Sequence, residues 1–190
     1  MTETKTELRA RLLAARRGMA ADTRAVAGAA ISRAVLDLPE VTTSGTVCAY
    51  LSVGTEPWTM DLVEELRARG VRVLVPVVRA DLDLDWADYD GLDRIAQTQR
   101  GLEEPTGPRL GVDAVAAADV VLAPALAVDE RGIRLGKGGG CYDRALARLP
   151  HGRPVVALLY DGEVLPVVPA EPHDRPVTAA VTPSGVRRFA

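Results

Sequence analysis

Apolar residues near the start of the chain recur at intervals of three and four, the spacing of one face of an α-helix. The pattern covers residues 3–18, and its apolar positions are Leu8, Leu12, Ala15 and Met19. At about 100° per residue, Lys5, Arg9 and Arg16 fall within about 40° of one another beside that stripe. We expect a helix that docks through its apolar face and still presents cations, although a solvated basic face is the ordinary meaning of such charges.

A second helix is expected from Asp22, a good N-cap, to about Leu38, with Pro39 as its stop. Beyond it, short apolar runs of strand length alternate with helical segments. The expected strands span residues 46–51, 71–78, 82–89, 119–123 and 154–160.

Two further helices are expected between these strands, over residues 59–69 and 142–149, with Gly70 suited to cap the first. Residues 101–111 are rich in Gly and Pro and are expected to form a loop. The alternation predicts an α/β fold, a three-layer α/β/α domain with a mainly parallel, Rossmann-like sheet. Ligands of such a sheet bind outside the carboxyl ends of the strands, where loops 52–58 and 124–141 fall.

Length and composition narrow the function classes. The 190 residues fit a single domain over residues 1–190, large enough to bury about 70% of the surface that the unfolded chain exposes. The net charge of −3 gives no reason to expect a nucleic-acid partner. The most apolar window, 112–128, contains two aspartates and a proline, and residues 1–20 lack the apolar core of a secretory signal. Cys48 lies in an apolar run as a reduced core residue would, and we expect a soluble, cytoplasmic monomer with no membrane partner.

The stretch from residue 134 to 144, RLGKGGGCYDR, carries the most chemistry. Adjacent glycines let successive N–H groups converge on an anion, and the helix that follows directs its positive end to the same place. Lys137, Arg134 and Arg144 add positive charge, and Asp143 is a candidate to hold a metal against phosphates. The stretch therefore predicts a phosphate cradle.

The common nucleotide motifs do not fit this loop. A Walker A loop requires Ser or Thr after its lysine, whereas Lys137 is followed by Gly138, and the dinucleotide spacing requires glycine where Cys141 stands. A glycine-rich surface turn is the plain alternative. A phosphate cradle is favoured because three adjacent glycines lose much conformational entropy on folding, which a simple turn rarely requires.

Together with the Lys5-x-x-x-Arg9 pair and with Tyr50-Leu51-Ser52 followed by Glu56, the loop resembles the 5-formyltetrahydrofolate cyclo-ligase family, also called 5,10-methenyltetrahydrofolate synthetase. Other segments resemble the family in the same order along the chain, namely residues 101–105, 123–124, 129–132 and 172–174. The resemblance extends over almost the whole chain.

The resemblance implies a reaction, the ATP- and Mg²⁺-dependent cyclisation of 5-formyltetrahydrofolate to 5,10-methenyltetrahydrofolate with release of ADP and phosphate. An N-formyl oxygen is a poor leaving group, so its phosphorylation to an imidate phosphate allows the folate N10 to close the ring and expel phosphate. The protein would mainly align the reactants and neutralise charge, as in other phosphoryl transfers.

The resemblance also implies residue roles. The ATP-binding set is Lys5, Arg9, Arg134, Leu135, Gly136, Lys137, Gly138, Gly139, Gly140, Cys141 and Tyr142. Catalytic roles fall to Tyr142 and to Lys137, which would stabilise charge on the transferred phosphoryl group. The folate positions are Leu51 and Glu56, and the magnesium positions are Asp143 and Asp174.

Simpler roles stay open for several of these residues. Asp143 also suits the first turn of the following helix, and Glu56 also suits a solvated loop. His173 precedes Asp174 and is expected only to orient that loop. Only Tyr142 is favoured for a ligand role among the aromatic candidates to stack on a pterin, which are Trp58, Trp86, Tyr50 and Tyr142.

Two positions depart from the family pattern: Cys141 stands where the family usually has Tyr, and Thr178 where an acidic residue often follows the His-Asp pair. These departures affect substrate affinity more than fold. One alternative function is a non-catalytic nucleotide- or folate-binding regulator that kept the cradle and lost turnover. A nucleic-acid role for the basic N-terminal helix is a third hypothesis, and it requires binding that depends steeply on salt.

Overall fold

Seven strands form one mixed sheet within residues 3–99, 101–172 and 174–189, the part of the chain that the computed structural model describes. The strands of the described residues are β1 (Thr46–Cys48), β2 (Arg72–Val78), β3 (Leu84–Asp88), β4 (Ile95–Gln97), β5 (Glu103–Pro105), β6 (Val120–Pro124), β7 (Ala127–Asp129), β8 (Arg134–Leu135), β9 (Val155–Leu158), β10 (Val164–Leu165), β11 (Ala179–Thr182) and β12 (Gly185–Arg188). The helices are α1 (Lys5–Gly18), α2 (Ala21–Leu36), α3 (Pro39–Thr42), α4 (Met60–Ala68) and α5 (Cys141–Leu146), with 3₁₀ turns at Leu92–Arg94 and Val112–Ala117.

The large sheet has the order β12-β11-β9-β6-β1-β2-β3. Its five central strands are parallel, and the edge strands β12 and β3 run antiparallel to their neighbours. A small sheet of order β10-β7-β8 and a β4-β5 pair complete the topology. The prediction of an α/β fold with a mainly parallel sheet is confirmed.

Helices cover both faces of the large sheet because successive strand residues point to opposite sides. Val47 packs with the apolar residues of α2 and α4, whereas the neighbouring Cys48 packs with α5 and the 3₁₀ turn on the other face. Both side chains are fully buried, and the Cys48 thiol forms no disulfide. The three-layer arrangement and the buried, reduced Cys48 agree with the sequence.

Helix α1 packs outside these layers, against the small sheet. Its Leu8 and Leu12 join Leu126 and Leu135 in a separate apolar cluster. Thr4 caps the helix through a reciprocal pair of hydrogen bonds with Glu7, the capping box. The apolar stripe expected at the N-terminus is therefore used to place α1 beside the strands that lead into the glycine-rich loop.

Several expected boundaries are wrong. The N-cap of α2 is Ala20, and Asp22 lies in the first turn, where a carboxylate still favours the helix dipole. Pro39 does not stop a helix but starts α3, since the first helical turn tolerates a residue without an N–H. The expected loop 101–111 contains β5, which pairs only with the equally short β4.

Candidate functional site

A cavity of about 310 Å³ opens at the carboxyl ends of β1, β2 and β6. It is lined by Lys5, Arg9, Leu51, Glu56, Arg134, Gly136, Lys137, Gly138, Gly139, Gly140, Cys141, Tyr142, Asp143 and Asp174, which the sequence had singled out. It is also lined by residues for which the sequence gave no role, including Pro76, Val78, Leu84, Leu102, Glu104 and Glu171. The lining thus combines a charged, glycine-rich part with an apolar part.

Leu135 is the exception among the predicted site residues. Its side chain is 1% exposed and packs against α1 in the apolar cluster of the small sheet. Its carbonyl oxygen accepts a hydrogen bond of 2.7 Å from the Leu126 N–H group. The Leu135 side chain therefore packs in the apolar cluster beside the loop and does not line the cavity.

The glycine-rich loop is held in a conformation that favours glycine. Gly138 and Gly140 have φ angles of 105° and 66°, in the left-handed region that other residues rarely adopt. Gly140 is the N-cap of α5, which spans Cys141–Leu146 and so begins one residue before the expected helix 142–149 and ends three residues earlier. Arg9 Nε donates a 3.0 Å hydrogen bond to the Gly136 carbonyl, which ties α1 to the loop.

Lys5 bridges α1 to the segment near the C-terminus. Its Nζ lies 2.8 Å from Asp174 Oδ2 and 2.7 Å from Glu171 Oε2. Burial alone would lower the pKa of the ammonium group, but the two carboxylates outweigh burial and raise the pKa. Lys5 is thus a fixed cation at the edge of the cavity.

Arg16 does not present its charge, contrary to the expectation for this helix. Its side chain is 1% exposed and forms a two-bond ion pair with Glu163, both bonds 2.7 Å long. Its Nη2 also donates to the Ala125 carbonyl at 2.7 Å. Arg16 is a buried anchor between α1 and the β6–β7 connection, whereas Lys5 and Arg9 reach the cavity.

The two predicted magnesium ligands are each paired with a cation. Asp143 Oδ1 accepts a 2.9 Å bond from the buried Arg134, and Asp174 is bound by Lys5. Within the described ranges, no three His, Cys, Asp or Glu side chains are grouped so that they would hold a metal. Two carboxylates are nevertheless a normal protein share of a Mg²⁺ shell when phosphate oxygens and waters supply the rest. The donor set therefore fits an ion that arrives with a polyphosphate better than a resident one.

Glu56 and Lys137 meet across the cavity. Lys137 Nζ lies 2.6 Å from Glu56 Oε1, and the other carboxylate oxygen accepts a 2.8 Å bond from the Val53 N–H group. The Glu56 side chain is 10% exposed and that of Lys137 is 49% exposed. Glu56 is therefore an organised part of the cavity, and the solvated-loop alternative does not describe it.

Tyr142 lies within the cavity lining, and the Arg134 guanidinium lies 5.8 Å from the centre of its ring. Among the described residues, its buried hydroxyl finds no hydrogen-bond partner, and the same holds for the buried Arg134 Nε. Burial raises the pKa of Tyr142 well above its ordinary value, so this hydroxyl is not suited to remove a proton. A ligand reaches the buried hydroxyl only when the groups around it shift.

The other aromatic candidates lie in different places, and only one of them lines the cavity. Tyr50 lines the cavity, Trp86 is buried in the core and Trp58 is half-exposed outside the cavity lining. Cys141, which departs from the family pattern, is partly buried in the cavity wall, and Thr178 donates to the Val155 carbonyl between strands. The expectation for His173 lies outside the described residues.

Sequence reasoning missed the apolar lining from β2 and β3 and the carboxylate of Glu171. Pro76 and Val78 look like ordinary strand residues, and only the fold shows that they end beside the loop. Glu104 belongs to a segment that had been noticed without a role, and its carboxylate accepts a 3.0 Å bond from the Val78 N–H group. Glu171 had no signal in the sequence.

The fold and the cavity define an α/β enzyme class whose site lies at the carboxyl ends of parallel strands. Residues 1–183 match the model of the 5-formyltetrahydrofolate cyclo-ligase family, and the chain belongs to that family. It is 45% identical over 143 residues to the 5-formyltetrahydrofolate cyclo-ligase of Mycolicibacterium smegmatis, with 73% of each chain covered. It is 31% identical over 174 residues to the 5-formyltetrahydrofolate cyclo-ligase of Escherichia coli K12, with coverage of 90% of this chain and 96% of the relative.

The fold is also found in solved structures. The NMR structure of 5,10-methenyltetrahydrofolate synthetase from Aquifex aeolicus superposes with a TM-score of 0.83 at 27% identity, covering 97% of this chain and 92% of that one. The Mycoplasma pneumoniae synthetase matches in fold with a TM-score of 0.74 at 20% identity, covering 94% of this chain and 98% of that one. No helix in the described part of the chain combines the length and apolar character needed to cross a bilayer.

Proposed function

We propose that this chain catalyses the ATP-dependent cyclisation of 5-formyltetrahydrofolate to 5,10-methenyltetrahydrofolate, with release of ADP and phosphate. Family membership supports the reaction class. The observation that supports it most within the molecule is the convergence, on one cavity, of the cationic end of α1, the glycine-rich loop and Glu56. We further propose that the protein acts as a monomer.

The glycine-rich loop and its neighbouring cations are proposed to bind the polyphosphate. Arg9 fixes the loop through Gly136, and the half-exposed Lys137 ammonium is able to turn from Glu56 towards a phosphoryl group. Positive charge placed where negative charge develops lowers the barrier to phosphoryl transfer. Lys137 is therefore the proposed catalytic cation.

Asp143 and Asp174 would hold Mg²⁺ together with phosphate oxygens. A bound Mg²⁺ would supply neutralisation of the polyphosphate and fix its orientation. Before the ion binds, Arg134 and Lys5 hold the two carboxylates in place. These cations would then contact the anionic ligand that arrives with the metal.

Glu56 and the apolar lining are proposed to bind the folate. A carboxylate accepts two N–H bonds in parallel, which suits the amino and ring N–H groups of a pterin. Leu51 lines the same cavity, and burial of the flat ring against such apolar groups adds affinity without directional demands. The formyl group would then lie between the pterin end and the phosphate end.

Within this arrangement the formyl oxygen attacks the terminal phosphorus, and ADP leaves. The N10 lone pair next attacks the formyl carbon, the carbon–oxygen bond breaks with departure of phosphate, and the N10 proton is released. The Tyr142 ring lines the cavity, and its buried hydroxyl would donate a hydrogen bond to the ligand once the surrounding groups shift to expose it. The contribution of the protein is alignment, neutralisation and exclusion of water.

The purified chain incubated with 5-formyltetrahydrofolate, ATP and Mg²⁺ tests this proposal through absorbance of the methenyl product. The expected result is product formation that requires the nucleotide and the metal. Binding of ATP or folate without product would favour the non-catalytic regulator and overturn the proposed enzyme.

A further inference from the structure

The turn that follows β7 is built around a buried carboxylate outside the cavity. Asp129 is 0% exposed, and its Oδ1 accepts hydrogen bonds from the N–H groups of Arg131 and Ile133 at 2.9 and 3.0 Å. Its Oδ2 accepts from the Arg131 side chain at 2.6 and 3.0 Å and from the Val168 N–H group at 3.1 Å. Burial would raise the pKa of Asp129, but Arg131 and the backbone donors outweigh it and hold the pKa below its ordinary value.

This turn binds the chain on the N-terminal side of Asp174, at Val168. The Val168 N–H group bonds to Asp129, and the Val168 carbonyl accepts a 3.0 Å bond from Arg131 Nη2. Both polar groups of one residue are thus fixed by two neighbouring side chains. Val168 itself is fully buried, so its position is set on all sides.

The same turn binds the chain on the C-terminal side of Asp174, at Val177. The Gly132 carbonyl accepts a 2.8 Å bond from the Val177 N–H group. Gly132 has a φ angle of 78°, and a Cβ at this position would lie 2.5 Å from the Val177 carbonyl oxygen. Only glycine permits this close approach.

Between these two anchors lies the segment 168–177, whose described residues form neither helix nor strand. The Glu171 N–H group donates to Asp174 Oδ2 at 2.7 Å, the Asp174 N–H group donates to the Glu171 carbonyl at 3.0 Å, and both side chains bind Lys5. Without a regular element, the location of Asp174 depends on the anchors at the ends of the segment together with its ion pair to Lys5.

We infer that Asp129, with Arg131 and Gly132, is a positioning device that fixes segment 168–177 and thereby places Asp174 in the cavity. Asp129 does not line the cavity, so it acts through Asp174 and not on the substrate. The role assigned to Asp174 rests on the proposed function. Replacing residues that orient metal ligands typically lowers metal affinity by about 10- to 100-fold.

Two variants test the device, and one control lies in the same turn. Asp129→Asn keeps the shape, but its amide N–H group meets the three donors of Oδ2 in one orientation and the N–H groups of Arg131 and Ile133 in the other. Arg131→Gln is milder, because the arginine side chain is 57% exposed and Asp129 retains its backbone donors. Glu130→Gln is the control, since Glu130 is 60% exposed and pairs only with Arg187 at the surface among the contacts described.

Hydrogen exchange of the ligand-free proteins measures how firmly segment 168–177 is held, independently of catalysis. Segment 168–177 is expected to exchange severalfold faster in Asp129→Asn and Arg131→Gln than in the wild type or Glu130→Gln, with β1 unchanged. Calorimetric titration with a non-hydrolysable ATP analogue is expected to require about 10- to 100-fold more Mg²⁺ in these two variants. The affinity for 5-formyltetrahydrofolate should stay the same.

If segment 168–177 exchanges at the wild-type rate in both variants, the proposed positioning role of Asp129 is wrong. It is also wrong if the segment exchanges faster but the Mg²⁺ concentration needed for nucleotide binding stays at the wild-type value. A wild-type chain that binds no nucleotide in the presence of Mg²⁺ would instead contradict the proposed function. The two failures are therefore distinguishable.

Discussion

Lys137 Nζ lies 2.6 Å from Glu56 Oε1. Lys137, proposed to bind the phosphates, thus neutralises the charge of Glu56, which is proposed to bind the pterin. Each must partly release the other when both ligands bind. Breaking this ion pair costs little free energy, because an ion pair with one half-exposed partner contributes about 0–1 kcal/mol to stability. The pair thus organises the cavity before ligands arrive without resisting them strongly.

Lys137→Ala is expected to slow turnover and leave stability unchanged. Loss of one donor to a developing charge costs about 3–4 kcal/mol of barrier stabilisation, or about 10²- to 10³-fold in kcat. The free energy of unfolding should change by no more than about 1 kcal/mol, the size of a partly exposed pair. Steady-state kinetics with urea denaturation checks both values. A kcat within threefold of the wild type would remove Lys137 from the catalytic step.

The chain contains two lysines, Lys5 and Lys137, and both line the cavity. An amine-reactive reagent followed by peptide mass spectrometry therefore reports directly on the site. Lys137 should react faster, because its side chain is 49% exposed against 14% for Lys5, whose pKa is raised by two carboxylates. ATP with Mg²⁺ should protect Lys137. Labelling of Lys137 that is indifferent to nucleotide would contradict the phosphate site.

Tyr142→Phe is expected to reduce turnover without loss of stability. Its hydroxyl is buried and unpartnered, so its removal should leave the free energy of unfolding unchanged or raise it by about 1 kcal/mol. Tyr160→Phe is the matched control, since the Tyr160 hydroxyl is also buried and unpartnered but lies outside the cavity lining. Because burial raises the pKa of Tyr142 well above its ordinary value, the pH profile of kcat between pH 6 and 9 should keep its shape. Equal activity of the two variants would exclude a ligand contact by the Tyr142 hydroxyl.

Gly138→Ala is expected to weaken nucleotide binding, whereas Gly152→Ala is not. Both glycines have positive φ angles, 105° and 80°, so each substitution should destabilise the fold by about 1–2 kcal/mol. The added Cβ of Gly138→Ala would lie 3.6 Å from the Arg9 guanidinium, and Gly152 has open space around it. Calorimetry with an ATP analogue separates backbone strain from damage to the cradle. Equal nucleotide affinity in the two variants would argue against the cradle.

Arg16→Met is expected to destabilise the protein strongly. It leaves the Glu163 carboxylate, 8% exposed, without its guanidinium partner, and a broken buried pair costs about 3–5 kcal/mol. Arg72→Met breaks an exposed pair with Asp88 and should cost about 0–1 kcal/mol. Denaturation midpoints of the two variants check the difference. Similar midpoints would show that the Arg16 pair does not anchor α1.

Local patterns in the sequence predicted the elements that depend on local physics. The three-and-four spacing of Leu8 and Leu12 predicted α1, and Gly70, with a φ angle of 81°, follows α4 as a cap should. The site was less predictable, because its contacts join distant parts of the chain. Arg16 meets Glu163 across 147 positions, and no local pattern distinguishes such an arginine from a solvated one.

The glycine-rich loop was recognisable because its unusual composition has few purposes. Leu135 was taken into the site with its neighbours, but strand alternation in β8 turns its side chain to the core. The apolar lining near Val78 depends on how β2 and β3 end, which only the tertiary fold determines. Residue chemistry thus predicted the charged part of the cavity better than its apolar part.

The fate of the formyl oxygen tests the account most directly. With ¹⁸O in the formyl group of 5-formyltetrahydrofolate, attack on the terminal phosphorus followed by ring closure predicts that the label leaves in inorganic phosphate, one atom for each methenyl product. Mass spectrometry of the released phosphate measures this transfer. Phosphate without label, accompanied by product, would contradict phosphorylation of the formyl oxygen in this cavity.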